Sequence, residues 1–141
     1  RQMCIRDRAH HNPQALVCGY PIYDQTVPLS RLWGRELTNF WVHVNTRSKA
    51  LRDAMCGFRV YPLAQTLPVL PSVKTRRMDF DPDIVVRLIW AGVTVINRPV
   101  RVTYPKDGIS HFRGFSDNMR ISRLHAGHFC TMLLRRMGLA K

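Results

Sequence analysis

Acid is scarce in this chain. Nine Asp and Glu stand against 22 Lys and Arg, which leaves a formal net charge of +13 over 141 residues. An excess of that size favours anionic partners: nucleic acid, an anionic membrane surface or a phosphate-bearing substrate. Cysteines are few and far apart. Cys4, Cys18, Cys56 and Cys130 form no C-x-x-C pair, which excludes a zinc ribbon and offers no disulfide framework, so a reducing, cytosolic setting is expected. No apolar run approaches the roughly 18 residues that a membrane-crossing helix needs, and no signal peptide is recognisable. Internal repeats and low-complexity tracts are also missing.

What is present is enough for a core. Hydrophobic residues make up 45% of the chain, which argues against disorder and for one domain or a piece of one. The positive charge is spread. Residues 111–141 hold six basic residues and one acid, and residues 29–60 hold six and two. Nucleic-acid binding is the alternative that charge alone raises, but no RNA-recognition signature, zinc site or recognition helix accompanies it. The first residue is Arg rather than Met, so a fragment is expected. Residues 1–8 (R-Q-M-C-I-R-D-R) show no helical or strand period and are read as a non-native leader, outside the fold reading.

From residue 9 the chain alternates. Residues 15–21 (A-L-V-C-G-Y-P) are a short apolar run bounded by Pro and Gly, the pattern of a buried strand. Leu29, Leu32, Trp33, Leu37, Phe40, Trp41 and Val44 then recur at spacings of three and four, which predicts a helix burying that stripe, tryptophans included. Its other face carries Arg31, Arg35, Glu36, Asn39 and His43. Residues 56–61 read as a second strand broken by Gly57, a glycine that marks a bulge or a close backbone approach. Residues 93–97 and 100–104 read as two β-branched strands separated by Arg98-Pro99. Residues 115–137 predict a last, basic amphipathic helix, with His125 and His128 on its surface. Strands alternating with helices at this spacing indicate an α/β layered domain with a mixed sheet.

The stretch from Asp53 to Asp83 organises the rest. Three of the nine acids sit at Asp79, Asp81 and Asp83. Asp81-Pro82 is a helix-start signal, the Asp capping free amides and the Pro at the first helical position. The apolar run at residues 84–90 is then a buried helix ending at Gly92. Asp83 falls in its first turn, where the helix dipole favours the ionised form. A carboxylate held there serves equally as a general base or as a plain cap.

Read in order, D-A-M-C-G-F-R-V-Y and M-D-F-D-P-D-I-V-V-R-L-x-x-x-G-V-x-V-x-x-x-P-V-x-V-x-Y resemble the C-terminal half of a bacterial family-2 glycosyltransferase. The similarity is to the polyprenyl-phosphate-sugar-synthase-like branch, and D-G-I-S-H-F at residues 107–112 is similar to aryl-polyene-type members. It spans about residues 9 to 129. The resemblance implies a partial GT-A fold, a mixed sheet flanked by helices, whose N-terminal nucleotide-binding half is missing. It implies inverting transfer of a sugar from a nucleotide-sugar donor to a lipid-linked or membrane-proximal acceptor, in the cytoplasm or at the inner face of the cytoplasmic membrane. A divalent metal, Mg or Mn, is expected in the full-length enzyme and none on this fragment alone, which is expected to be inactive. The family's metal-binding D-x-D lies on an earlier strand. Asp79-Phe80-Asp81 and Asp81-Pro82-Asp83 share its spelling, but their place before the helix fits the family's acceptor-side acidic segment.

Roles carried over from the resemblance follow the same motifs. Asp83 is the favoured acceptor-side carboxylate and Asp81 the second candidate. Asp53, Gly57 and Arg59 border the acceptor, with Arg59's planar fork suited to phosphate oxygens. An internal Asp53–Arg59 ion pair is the structural alternative. Lys106, Ser110 and His111 fall on the loop that closes over the donor diphosphate, and His111 is the one candidate metal ligand. The last helix is a candidate for peripheral contact with an anionic membrane.

Overall fold

The computed structural model describes residues 3–23, 27, 29–103 and 114–139. Their order is α1 (Met3–His11), β1 (Leu16–Tyr23), α2 (Leu29–Thr46), β2 (Arg59–Val60), α3 (Leu63–Thr66), a 3-10 turn (Leu70–Ser72), α4 (Phe80–Trp90), β3 (Val95–Val102) and α5 (Gly114–Arg136). The sheet is small and mixed. β1 lies in the middle, antiparallel to β2 and parallel to β3. The α/β class and the mixed sheet agree with the sequence reading.

β1 is central because it is apolar on both faces: Leu16, Val17 and Cys18 are all buried in sequence, the pattern of a strand covered on two sides. Leu16 and Cys18 join Val42, Leu51, Ala54 and the α4 residues Ile84, Val85, Val86 and Leu88 in the main core. Gly19 makes the close approach possible. A Cβ there would lie 2.9 Å from Val100 Cγ2 and 3.0 Å from the Phe58 carbonyl oxygen, so even alanine would force the strands to shift.

α4 ends as its sequence requires. Gly92 has φ +80°, the Val93 amide donates to the Leu88 carbonyl and the Gly92 amide to the Ile89 carbonyl. This is a Schellman closure, with Leu88 and Val93 both buried beside it. The start differs from expectation. The helix begins at Phe80 with Asp79 at the cap, and the Asp79 side chain accepts from the Arg77 amide instead of capping the helix. Pro82 is therefore the third helical residue. Its missing N–H is still harmless, because the first amides of a helix have no partner within it.

Several other elements depart from the pattern reading. The second strand is shorter than expected, with only Arg59–Val60 paired. The two strands expected around Arg98-Pro99 are one, Val95–Val102. β3 is an edge strand in the described sheet, where a proline is tolerated. Residues 1–8 are read as lacking any period, yet residues 3–8 belong to α1 (Met3–His11), and Ile5 is buried where that helix packs on β1.

The largest correction concerns α2. Its inward residues are Thr38, Asn39, Val42 and Asn45, whereas Leu29, Leu37 and Phe40 face out and Trp33 is 78% exposed. Trp41 alone of the two tryptophans is half-buried. The polar face went inward because it has partners there: Arg35 reaches Asp53, the Asn39 side-chain oxygen accepts from the Ala54 amide, and His43 Nε2 lies 2.8 Å from the Leu51 carbonyl. Among the described residues no helix is long and apolar enough to cross a membrane.

Candidate functional site

The site is built where the segment between α2 and β2 meets the first turn of α4. Asp53 is buried and pins the segment. Its Oδ1 accepts from the Met55 amide at 2.8 Å and the Cys56 amide at 2.7 Å, and Arg35 Nη1 lies 2.7 Å from both carboxylate oxygens. Arg35 itself sits over the Tyr23 ring. The expected alternative of an Asp53–Arg59 pair is thus replaced: the partner of Asp53 is Arg35, supplied by α2.

Arg59 points the other way. Its side chain is 0% exposed. Nη2 donates to the Ala54 carbonyl at 2.7 Å, and Nη1 donates to the Asp81 carbonyl at 3.0 Å and to Asp81 Oδ1 at 3.3 Å. One buried guanidinium thus ties the 53–56 segment to the mouth of α4. Nη1 also lies 3.4 Å from the Tyr61 hydroxyl, and Nε has no protein partner. The Arg59 head is therefore committed to holding backbone and Asp81, and does not stand open to an acceptor phosphate.

Asp81 and Gly57 form the accessible part. The Asp81 side chain is 33% exposed. A Cβ placed on Gly57 would lie 3.8 Å from Asp81 Oδ2, so that oxygen is flanked by the one residue type that cannot cover it. Partial burial raises the Asp81 carboxyl above its ordinary proton affinity; Arg59 opposes the rise and Asp53 adds to it. Burial, against the opposing charge of Arg59, likewise holds the nearby Cys18 thiol up at about 12, which leaves it protonated and unreactive.

Asp83 is separated from this group. Two residues along a helix turn a side chain roughly 200° away, and Asp83 accordingly faces α5. It is 1% exposed and accepts from Arg87 Nε at 2.6 Å and Thr75 Oγ1 at 2.9 Å, with His128 Nε2 at 2.8 Å. Burial pushes its carboxyl up, and the bonds from His128, Arg87 and Thr75 more than offset that, so it lies below the ordinary carboxylate range.

His128 and its neighbour also depart from the sequence reading. Both His125 and His128 were expected on the surface, and both are buried. His125 stacks on Trp41 and meets Asn45 from α2, and the Trp90 indole donates to the Asn45 carbonyl at 3.0 Å. Burial, helped by His128, lowers His125 to about 4. No local signal announces this network: its pairs lie 45 and 80 residues apart in sequence.

Lys106, Ser110 and His111, the expected donor-phosphate contacts, lie outside the described residues. Among the described residues no group of three or more His, Cys, Asp or Glu is arranged to hold a metal ion. The divalent metal implied by the resemblance therefore has no fitting donor set among the described residues. The structure thus brings together Asp81, Gly57 and Arg59, sets Asp53 behind them as a brace, and turns Asp83 to the opposite side of α4. Compared with protein families, curated proteins and solved structures, the chain has no match.

Proposed function

We propose that the chain is the acceptor-side part of an inverting glycosyltransferase with a GT-A fold, moving a sugar from a nucleotide-sugar donor to a lipid-linked or membrane-proximal acceptor. The ordered motifs around Asp53–Tyr61 and Met78–Tyr104 motivate this reading. The observation that carries it is the state of Asp81.

Inverting transfer needs one base on the attacking hydroxyl, with the leaving diphosphate departing from the opposite face of the sugar. A useful base is reachable and not already saturated with hydrogen bonds. Asp81 meets both conditions: one oxygen faces Arg59 and the other lies beside Gly57. Its proton affinity is raised by burial, which favours a base of moderate strength over a weak one. Asp83 meets neither, so the role expected for it passes to Asp81. Asp83 becomes the residue that fixes α4 against α5. Asp53 and Arg59 act as positioning residues that set the distance between the Gly57 backbone and the base.

The reading is tested in the intact open reading frame that encodes this chain, assayed with a panel of nucleotide sugars and a polyprenyl-phosphate acceptor. Asp81→Asn is expected to lower transfer by about 100-fold or more while donor binding is unchanged. Full activity in that variant would remove Asp81 as the base, and no transfer from any donor by the intact protein would overturn the reading itself. Tight, steeply salt-dependent binding of DNA or RNA would favour the nucleic-acid alternative instead.

A further inference from the structure

α2 and α5 are both turned with their apolar side to the outside. On α2, Leu29, Trp33, Leu37 and Phe40 share the outward face while Thr38, Asn39, Val42 and Asn45 face in. α5 repeats the arrangement: Phe115, Met119, Leu133 and Met137 are exposed, whereas Asp117, Ile121, His125 and His128 are buried. The two faces are joined by an aromatic seam. Phe40 meets Trp41 edge-on at 5.7 Å, and Trp41 meets Phe129 at 6.3 Å. Scattered apolar residues are normal on a surface, but two adjoining stripes with an exposed tryptophan mark something that covers them.

Charge identifies the cover. The charged residues exposed on α5 are Arg120, Arg123 and Arg136, and its one acid, Asp117, is buried. At helical spacing Arg123 falls within the apolar stripe, and Arg120 and Arg136 fall on its two borders. On α2 one acid, Glu36, borders the stripe, and the exposed Arg47 and Lys49 follow its end. An apolar centre edged by arginines, with Trp and Phe in it, is the pattern of a helix lying in a lipid interface. A second copy of the chain on this face would add its own arginines to the seam, with Glu36 as the one acid bordering each copy's stripes. We propose that the outward faces of α2 and α5 form one docking surface for an anionic lipid bilayer, with both helices lying in the plane of the headgroups.

The surface does not depend on the transferase reading, and its test needs no turnover. The 141-residue chain is sedimented with vesicles of phosphatidylcholine alone and of phosphatidylcholine mixed with phosphatidylglycerol. Binding is expected to the mixed vesicles, to weaken as salt is raised, and to be slight on phosphatidylcholine alone. Trp33→Glu with Leu37→Glu on α2, and Leu133→Glu with Met137→Glu on α5, are each expected to lower partition about tenfold or more. All four side chains are exposed, so helix content by circular dichroism should not change. Arg120→Ser with Arg123→Ser removes only charge, and is expected to weaken binding to the mixed vesicles without altering the apolar face. Three results would overturn the proposal: no partition of the folded chain, partition that ignores both stripe variants, or a dimer in solution that those variants disperse.

Discussion

On the α5 side of α4, Asp83 accepts three short contacts, is shut from solvent and has its proton affinity lowered. On the β2 side, two residues earlier in the chain, Asp81 keeps an open edge beside Gly57 and has its proton affinity raised. Both carboxylates sit in the first turn of the same helix, so the helix dipole acts on each and does not distinguish them. The surroundings decide. Where donors converge, a carboxylate becomes part of the structure; where burial is partial and donors are few, it is left poised to take a proton.

The sharpest way to break this contrast is Asp83→Ala. It leaves Arg87 and His128 facing a buried space without their anion, and breaking such a pair is expected to cost about 3–5 kcal/mol of stability, read from denaturant midpoints. A loss under about 1 kcal/mol would mean that the α4–α5 interface does not depend on Asp83.

Acid should loosen the same interface next. His125 holds its proton only near pH 4 when folded, against an ordinary value of 6.5. Below 6.5 the unfolded chain therefore binds the extra proton and the folded one does not. Stability from this group is present above 6.5 and falls as pH drops toward 4, by up to about 3 kcal/mol in all. Thermal melts between pH 7 and 4.5 should show this fall, and His125→Gln should flatten it. An unchanged slope would place the sensitivity elsewhere.

Asp81→Asn is expected to have the smallest effect on stability. The raised affinity means that ionised Asp81 contributes no favourable burial at neutral pH, and Arg59 keeps its bonds to two backbone carbonyls. A change within about 1 kcal/mol of the parent is predicted, in either direction. A loss as large as that of Asp83→Ala would place Asp81 among the structural carboxylates.

The part of this account legible in sequence is the part that local chemistry specifies. The apolar run of α4 closed by Gly92 and the buried strand at Leu16–Cys18 each carry their own punctuation. The acids clustered at Asp79–Asp83 mark the helix start only to within two residues, because Asp79 and not Asp81 stands at the cap. The direction in which α2 faces was not legible. Periodicity locates an apolar stripe but does not say which way it turns, and here Arg35, Asn39 and His43 found buried partners that outweighed burying Trp33 and Leu37. The roles of Asp81 and Asp83 were not separable for a related reason. Their difference comes from Arg59, 22 residues before Asp81, and from His128, 45 residues after Asp83, and spacing in the chain says nothing about either contact.

The division of labour on α4 is tested most directly by following the side-chain carboxyl carbons of Asp81 and Asp83 by NMR as pH is lowered. Asp81 is predicted to take its proton above the ordinary carboxylate value and Asp83 below it. Two overlapping titrations, or the reverse order, would contradict the assignment of chemistry to one and structure to the other.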